Sequence, residues 1–113
     1  MEQFSAYRPF PDLAVDGQRT LSENLADLGG LAAAFDAHRD KLRERGADPA
    51  LVRRSDREFF IGFARAWRSQ IRESAVRAQV ASDDTHAPET YRVATVRNLD
   101  AWYEAFDVKP GQA

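Results

Sequence analysis

Thr20-Leu21-Ser22-Glu23-Asn24-Leu25-Ala26-Asp27-Leu28-Gly29-Gly30 is the stretch on which the reading of this chain turns. Leu21, Leu25, Leu28, Ala32 and Phe35 recur from it at helical spacing, which makes it the opening of an amphipathic helix. Thr20-x-x-Glu23 has the form of a capping box. Gly46 supplies the stop, so a helix is expected over about 20–45. Gly29-Gly30 falls inside it, where each Gly costs about 1 kcal/mol relative to Ala. A Gly pair retained there predicts that another backbone comes close.

Outward from this helix, Gly46-Ala47-Asp48-Pro49 reads as a break, with one short turn through Val52. Ser55-x-x-Glu58 is a second capping box. It predicts a long helix over 55–80 carrying Phe59, Phe60, Phe63, Trp67, Ile71 and Ala75, aromatic enough to belong to the core. Ser82-Asp83-Asp84 and Ala87-Pro88 mark a loop over about 81–90. Tyr91 to Val96 alternates weakly and reads as extended. Asn98 is placed to cap a last helix over 99–106. Upstream, residues 1–19 read as irregular, with Pro9, Pro11 and the Asp16-Gly17 turn as punctuation and Phe4, Tyr7 and Phe10 as apolar anchors. The expected class is mainly α: two long helices and a short C-terminal one.

With 113 residues, 43% of them hydrophobic and 30% charged, the chain is one globular unit or a piece of one. A net charge of −2 gives no electrostatic case for nucleic acid or an anionic membrane. The basic run from Arg39 to Arg57 is diluted by Asp40, Glu44, Asp48 and Asp56 and reads as a solvated surface. The absence of Cys removes disulfides and thiolate metal sites, and fits a reducing, cytoplasmic setting. No apolar run approaches the roughly 20 residues of a membrane span, and no signal-peptide pattern opens the sequence. Targeting or membrane segments upstream would not be visible in these residues.

Two clusters carry chemistry. Glu23 and Asp27 stand at i and i+4, on one helix face, where like charges repel unless a cation lies beside them. A carboxylate can ligate zinc, and a second one a turn away can orient a liganding imidazole. The plainer reading, one cap residue and one solvent-facing acid, is the stronger while the pair is taken alone. Downstream, Asp84 precedes His86 by two residues in a Pro-bounded loop and can hold its tautomer, while Arg92 adds a fixed fork of donors. Such groups can stabilise an oxyanion or grip a carbonyl; the alternative is an exposed loop histidine. His38, among Asp36, Arg39 and Asp40, reads as a surface residue.

Taken together, Glu23-Asn24-Leu25-Ala26-Asp27, Gly29-Gly30 and Asp84-x-His86-x-Pro88 followed by Tyr91-Arg92 resemble the motifs of the neprilysin and endothelin-converting-enzyme family of zinc metallopeptidases. Asp16-Gly17-Gln18-Arg19-Thr20-Leu21 and Phe59-Phe60-x-x-Phe63-Ala64-x-x-Trp67 are similar to that family too, so the likeness runs along nearly the whole chain in order. The resemblance implies a helical C-terminal portion of a zincin-type catalytic domain, with peptide substrates and one zinc ion. It implies that Glu23 is the third zinc ligand and that Asp27 orients a zinc-binding His. It gives His86, with Asp84 beside it, the tetrahedral intermediate, and Arg92 the substrate backbone. The family's His-Glu-x-x-His helix is absent from residues 1–113, as are its Asn-Ala-x-Tyr type segment and its terminal Trp. The expectation is therefore a single excised piece of a bacterial family member, inactive alone, whose partners are the remainder of its parent polypeptide, peptides, and copies of itself. The competing reading is a small helical interaction module without catalysis.

Overall fold

Six α-helices and one 3-10 segment make up the computed structural model, which describes residues 1–112. They are α1 (Glu2–Ser5), α2 (Leu21–Glu44), α3 (Pro49–Ala66), α4 (Glu73–Ala81), α5 (Glu89–Arg92), the 3-10 segment Val93–Asn98, and α6 (Asp100–Phe106). Among the described residues there is no strand, only an isolated bridge between Phe10 and Leu13.

The first long helix has the expected bounds, but its start is made differently. Thr20 makes no capping hydrogen bond. Its hydroxyl donates to the Asp16 carbonyl (2.9 Å) and accepts from Asn24 Nδ2 (2.9 Å). The Thr20 N–H, which a capping box would give to Glu23, instead donates to the Asp16 carbonyl (3.1 Å). Asp16 itself closes the lead-in turn by accepting from the N–H groups of Gln18 and Arg19. The end of α2 follows expectation. Gly46 takes a left-handed φ of 64°, and the N–H groups of Gly46 and Ala47 reach back to the carbonyls of Arg43 and Leu42. Those are the paired bonds that close a helix on a glycine.

The second long helix is where the sequence reading went astray. The Asp48-Pro49 pair, read as part of a break, is a helix start: Asp48 Oδ1 accepts from the Leu51 N–H (2.8 Å) and Pro49 opens the helix. Proline is suited to that position because its missing N–H has no intrahelical partner there. Ser55 and Glu58 are interior residues of α3, so the second capping box does not form. The helix also stops at Ala66, and α4 is separate. Tyr91–Val96 is helical rather than extended. Asn98 caps nothing; its amide donates to Gln3 Oε1 (3.0 Å).

Two apolar clusters result. The larger joins Leu31 and Phe35 of α2, Phe60 of α3, Val96 and Ala105. Phe35 stacks on Phe60 (5.1 Å between centroids) and Phe59 meets both edge-on. Beside it, Arg39 grips the buried Asp56 carboxylate with two bonds (2.8 and 2.7 Å), and His38 Nε2 lies 3.3 Å from Asp56 Oδ1. His38 is therefore half-buried against α3, not a surface residue. The smaller cluster buries Phe4, Val15 and Ala87, with Tyr7 and Tyr91 packed against it. It gives the N-terminal residues a role beyond irregular coil.

The Gly pair meets no neighbour. A Cβ built at Gly29 or Gly30 would find nothing within 4 Å, so no backbone of these described residues approaches them. The close approach falls at Gly17, where a Cβ would run into the Met1 carbonyl oxygen and Ser5 Oγ.

Candidate active-site cluster

Because Glu23 is not consumed by a cap, its carboxylate is free to leave the helix surface. Its Oε2 lies 3.3 Å from His86 Nε2. The other ring nitrogen, Nδ1, is 2.9 Å from Asp84 Oδ1, which also accepts the His86 N–H (2.9 Å). His86 thus stands between two carboxylates. The two hydrogen bonds from His86, backbone first and then ring, hold the Asp84 carboxyl below the usual carboxylate range. Gln79 of α4 adds a third donor to Asp84 (3.2 Å). Sequence reasoning missed Gln79, and only its position five residues before Asp84 could have pointed to it.

One turn along α2, Asp27 receives two parallel bonds from Arg92, from Nε (2.7 Å) and Nη2 (2.6 Å). The partners are 65 residues apart in the chain, and both are largely withdrawn from solvent. This fork-on-fork pair is the strong, geometrically selective form of ion pair. It raises the Arg92 pKa, with the Asp27 bonds as the main cause and burial opposing. Trp67 lies against the other side of the guanidinium, 4.1 Å from its ring centroid to Arg92 Cζ. That cation–π contact was not foreseen, although Trp67 stood in an aromatic motif.

The structure therefore brings Glu23, Asp27, Asp84, His86 and Arg92 together on the first two turns of α2. No groove separates them: the side chains touch. The pairs Glu23–His86 and Asp27–Arg92 are separated by four helix positions, a rise of about 6 Å. His86, Glu23 and Asp84 are partly open to solvent, whereas the Asp27–Arg92 pair forms the floor.

Structural and catalytic zinc sites use at least three protein ligands. Among the described residues no group of three or more His, Asp or Glu side chains is placed to hold a metal. Glu23 and Asp84 both face the same imidazole, that of His86. The described residues do not by themselves fit zinc. No helix among the described residues is long and apolar enough to cross a membrane.

The family model described as Peptidase family M13 matches residues 1–113. Endothelin-converting enzyme-like 1 of Homo sapiens is 41% identical over 96 residues, covering 81% of this chain and 12% of that protein. Neprilysin-3 of Drosophila melanogaster is 34% identical over 115 residues, covering 97% of this chain and 14% of that protein. Endothelin-converting enzyme 1 of Cavia porcellus is 35% identical over 115 residues, covering 98% and 15%. The chain thus spans between 12% and 15% of the length of these relatives. No solved structure matches it significantly.

Proposed function

This chain belongs to peptidase family M13, and on that premise we propose that it is part of a zinc-dependent endopeptidase acting on oligopeptides. The observation that carries the reading is the joint placement of two pairs, Glu23–His86 and Asp27–Arg92, on one surface. An interaction module has no need of a histidine held between two carboxylates beside a forked arginine.

In this reading Glu23 is one ligand of a zinc ion whose other donors lie outside residues 1–113. Zinc, when bound, would polarise the scissile carbonyl. The chain's own residues do the rest. Asp84 fixes the His86 ring through Nδ1, and Nε2, which here faces Glu23, is released to donate to the oxyanion at the attacked carbonyl once Glu23 is engaged by the metal. Asp27 holds Arg92 in one orientation. A carboxylate has about four acceptor positions, so two remain on Asp27 to orient a zinc-binding imidazole as well. Arg92 keeps its Nη1 donors for a peptide carbonyl. Residues 1–113 alone are inactive, since a single carboxylate cannot stand for three ligands. The α2 face bearing Gly29, Gly30 and Leu25, whose side chain is 58% exposed, meets the rest of the longer polypeptide. Freed from it, the chain self-associates over that face.

The test compares metal content with rate in a longer protein carrying these residues. Glu23→Ala should remove zinc. Asp27→Ala should weaken zinc binding or rate by about 10- to 100-fold. His86→Ala should leave zinc bound and lower kcat by about 100- to 1000-fold. Zinc loss in His86→Ala, or full zinc in Glu23→Ala, would reverse these roles. Peptide cleavage by residues 1–113 alone would end the reading, and a strictly monomeric chain in light scattering at high concentration would remove the docking face.

A further inference from the structure

Gln79, half-buried near the end of α4, reaches into the His86 loop with its side-chain amide. Its Nε2 is 3.2 Å from Asp84 Oδ2 and 3.5 Å from the His86 carbonyl oxygen. Both neighbours are acceptors, so the NH2 end of the amide is the end that fits. A glutamate here would set a further acceptor against two others. The contact matters because of how Asp84 is otherwise held. Both bonds from His86, from its N–H and from its ring Nδ1, fall on Oδ1. The last torsion of an aspartate is broad. A carboxylate anchored through one oxygen can swing about it, and the imidazole swings with it. Gln79 takes Oδ2 and so fixes the plane.

The helix that carries Gln79 is itself tied down. Ser82 donates to the Gln79 carbonyl through its N–H (3.1 Å) and its hydroxyl (2.7 Å), and the same hydroxyl accepts the Asp84 N–H (3.2 Å). Arg77, two residues before Gln79, grips Asp12 (2.9 Å) and lies over the Phe10 ring (4.1 Å). Residues two apart on a helix point to different sides. With one side, therefore, α4 holds the N-terminal segment, and with another it holds the His86 loop.

We propose that Gln79 is a positioning residue for His86: by anchoring the second oxygen of Asp84 it sets the direction in which the imidazole presents Nε2. Resting on the function proposed above, the inference adds to that site a residue that touches neither metal nor substrate. Its loss acts on the chemical step, so it lowers kcat and leaves KM and zinc content where they were.

Two variants test this. Gln79→Met keeps the volume and removes the donor, and Gln79→Glu keeps the shape and reverses the polarity. In the isotope-labelled chain the His86 amide proton should move upfield in both as its bond to Asp84 loosens, and further in Gln79→Glu. The Ser82 amide should stay in place, because its partner is the Gln79 backbone carbonyl, which every variant keeps. In a longer protein carrying these residues, Gln79→Met should lower kcat by roughly 3- to 10-fold, the worth of one hydrogen bond, and Gln79→Glu by at least as much. Gln70→Met, in the connection between α3 and α4, should change neither the amide nor the rate. An unmoved His86 amide overturns the inference. So does a Ser82 amide that moves with it, since the end of α4 would then have come undone and the role would be structural. An unchanged kcat in an active longer protein overturns it as well. A longer protein that cleaves no peptide before any substitution removes the peptidase reading instead, and the amide shifts then decide by themselves whether Gln79 holds Asp84.

Discussion

The two apolar clusters are built on different plans. The larger one, around Phe35 and Phe60, is made of helix faces from α2, α3 and α6 with Val96 from the 3-10 segment. The smaller one, around Phe4, Val15 and Ala87, is made from an N-terminal segment laid against a loop. Yet the smaller one touches the candidate site. Ala87 follows His86 in sequence, and Tyr91 precedes Arg92. The Arg19 guanidinium adds a bond to the Ser82 carbonyl at the start of that loop, and Arg77 of α4 ties to Asp12. The comparison teaches that stability and site geometry are supplied by different parts of the molecule. Helix packing holds the fold, and a segment with little structure of its own holds the histidine.

That division makes its largest prediction at the aromatic centres. Phe60→Ala removes a ring that is 2% exposed and should cost about 3–5 kcal/mol of global stability in urea melts. Phe4→Ala should act locally instead. Amide exchange should quicken at Ala87 and Tyr91 while Leu31 and Phe60 keep their protection. Equal loss of protection in both regions would break the comparison.

Next in size is the link between the site and α2. Asp27→Asn leaves a largely withdrawn Arg92 without its counter-charge, and a loss of about 1–3 kcal/mol is expected. A change within the noise of a denaturant melt would mean that the pair is a surface ornament.

The glycines should separate by sign. Gly17→Ala drives a Cβ into Met1 and Ser5 and should destabilise by about 1–3 kcal/mol. Gly30→Ala meets open space on an exposed helix and should stabilise the isolated chain by up to about 1 kcal/mol. In a longer protein with the α2 face covered, that gain should turn into a loss. A gain in both settings would argue that nothing packs there.

The smallest effect is acid sensitivity. Asp12, Asp16 and Asp84 are all held below the ordinary carboxylate range, chiefly by bonds from Arg77, from the Arg19 N–H and from the His86 N–H. A carboxyl with a lowered folded pKa contributes stability that is present above its unfolded value, about 3.9, and is lost as pH falls through the folded value. All three lie in the N-terminal segment or the His86 loop. Below about pH 4, therefore, the Ala87 amide should lose protection before the Phe60 amide does. Simultaneous loss would show that the segment and the helical core unfold as one.

By itself the sequence determined the helical class, both ends of α2 and the family, and it singled out Glu23, Asp27, Asp84, His86 and Arg92 as candidates, but not Gln79 or the Trp67 contact. Helical spacing and a glycine stop are local signals, and the site motifs are short runs of chemistry-bearing residues. It misled where one local signal has two meanings. Asp48-Pro49 ends one helix pattern and starts another, and Thr20-x-x-Glu23 looks like a cap when Asp16 has already taken the Thr20 N–H. Only the tertiary structure decided the break after Ala66, where no Gly or Pro marks the chain. There Trp67 turns to meet Arg92, and α4 must reach Asp12 and Phe10. It likewise decided that Asp27 finds Arg92 and that Glu23 finds His86. Those partners are distant in sequence, and their pairing depends on which helix faces pack, an outcome that no single stretch of residues contains.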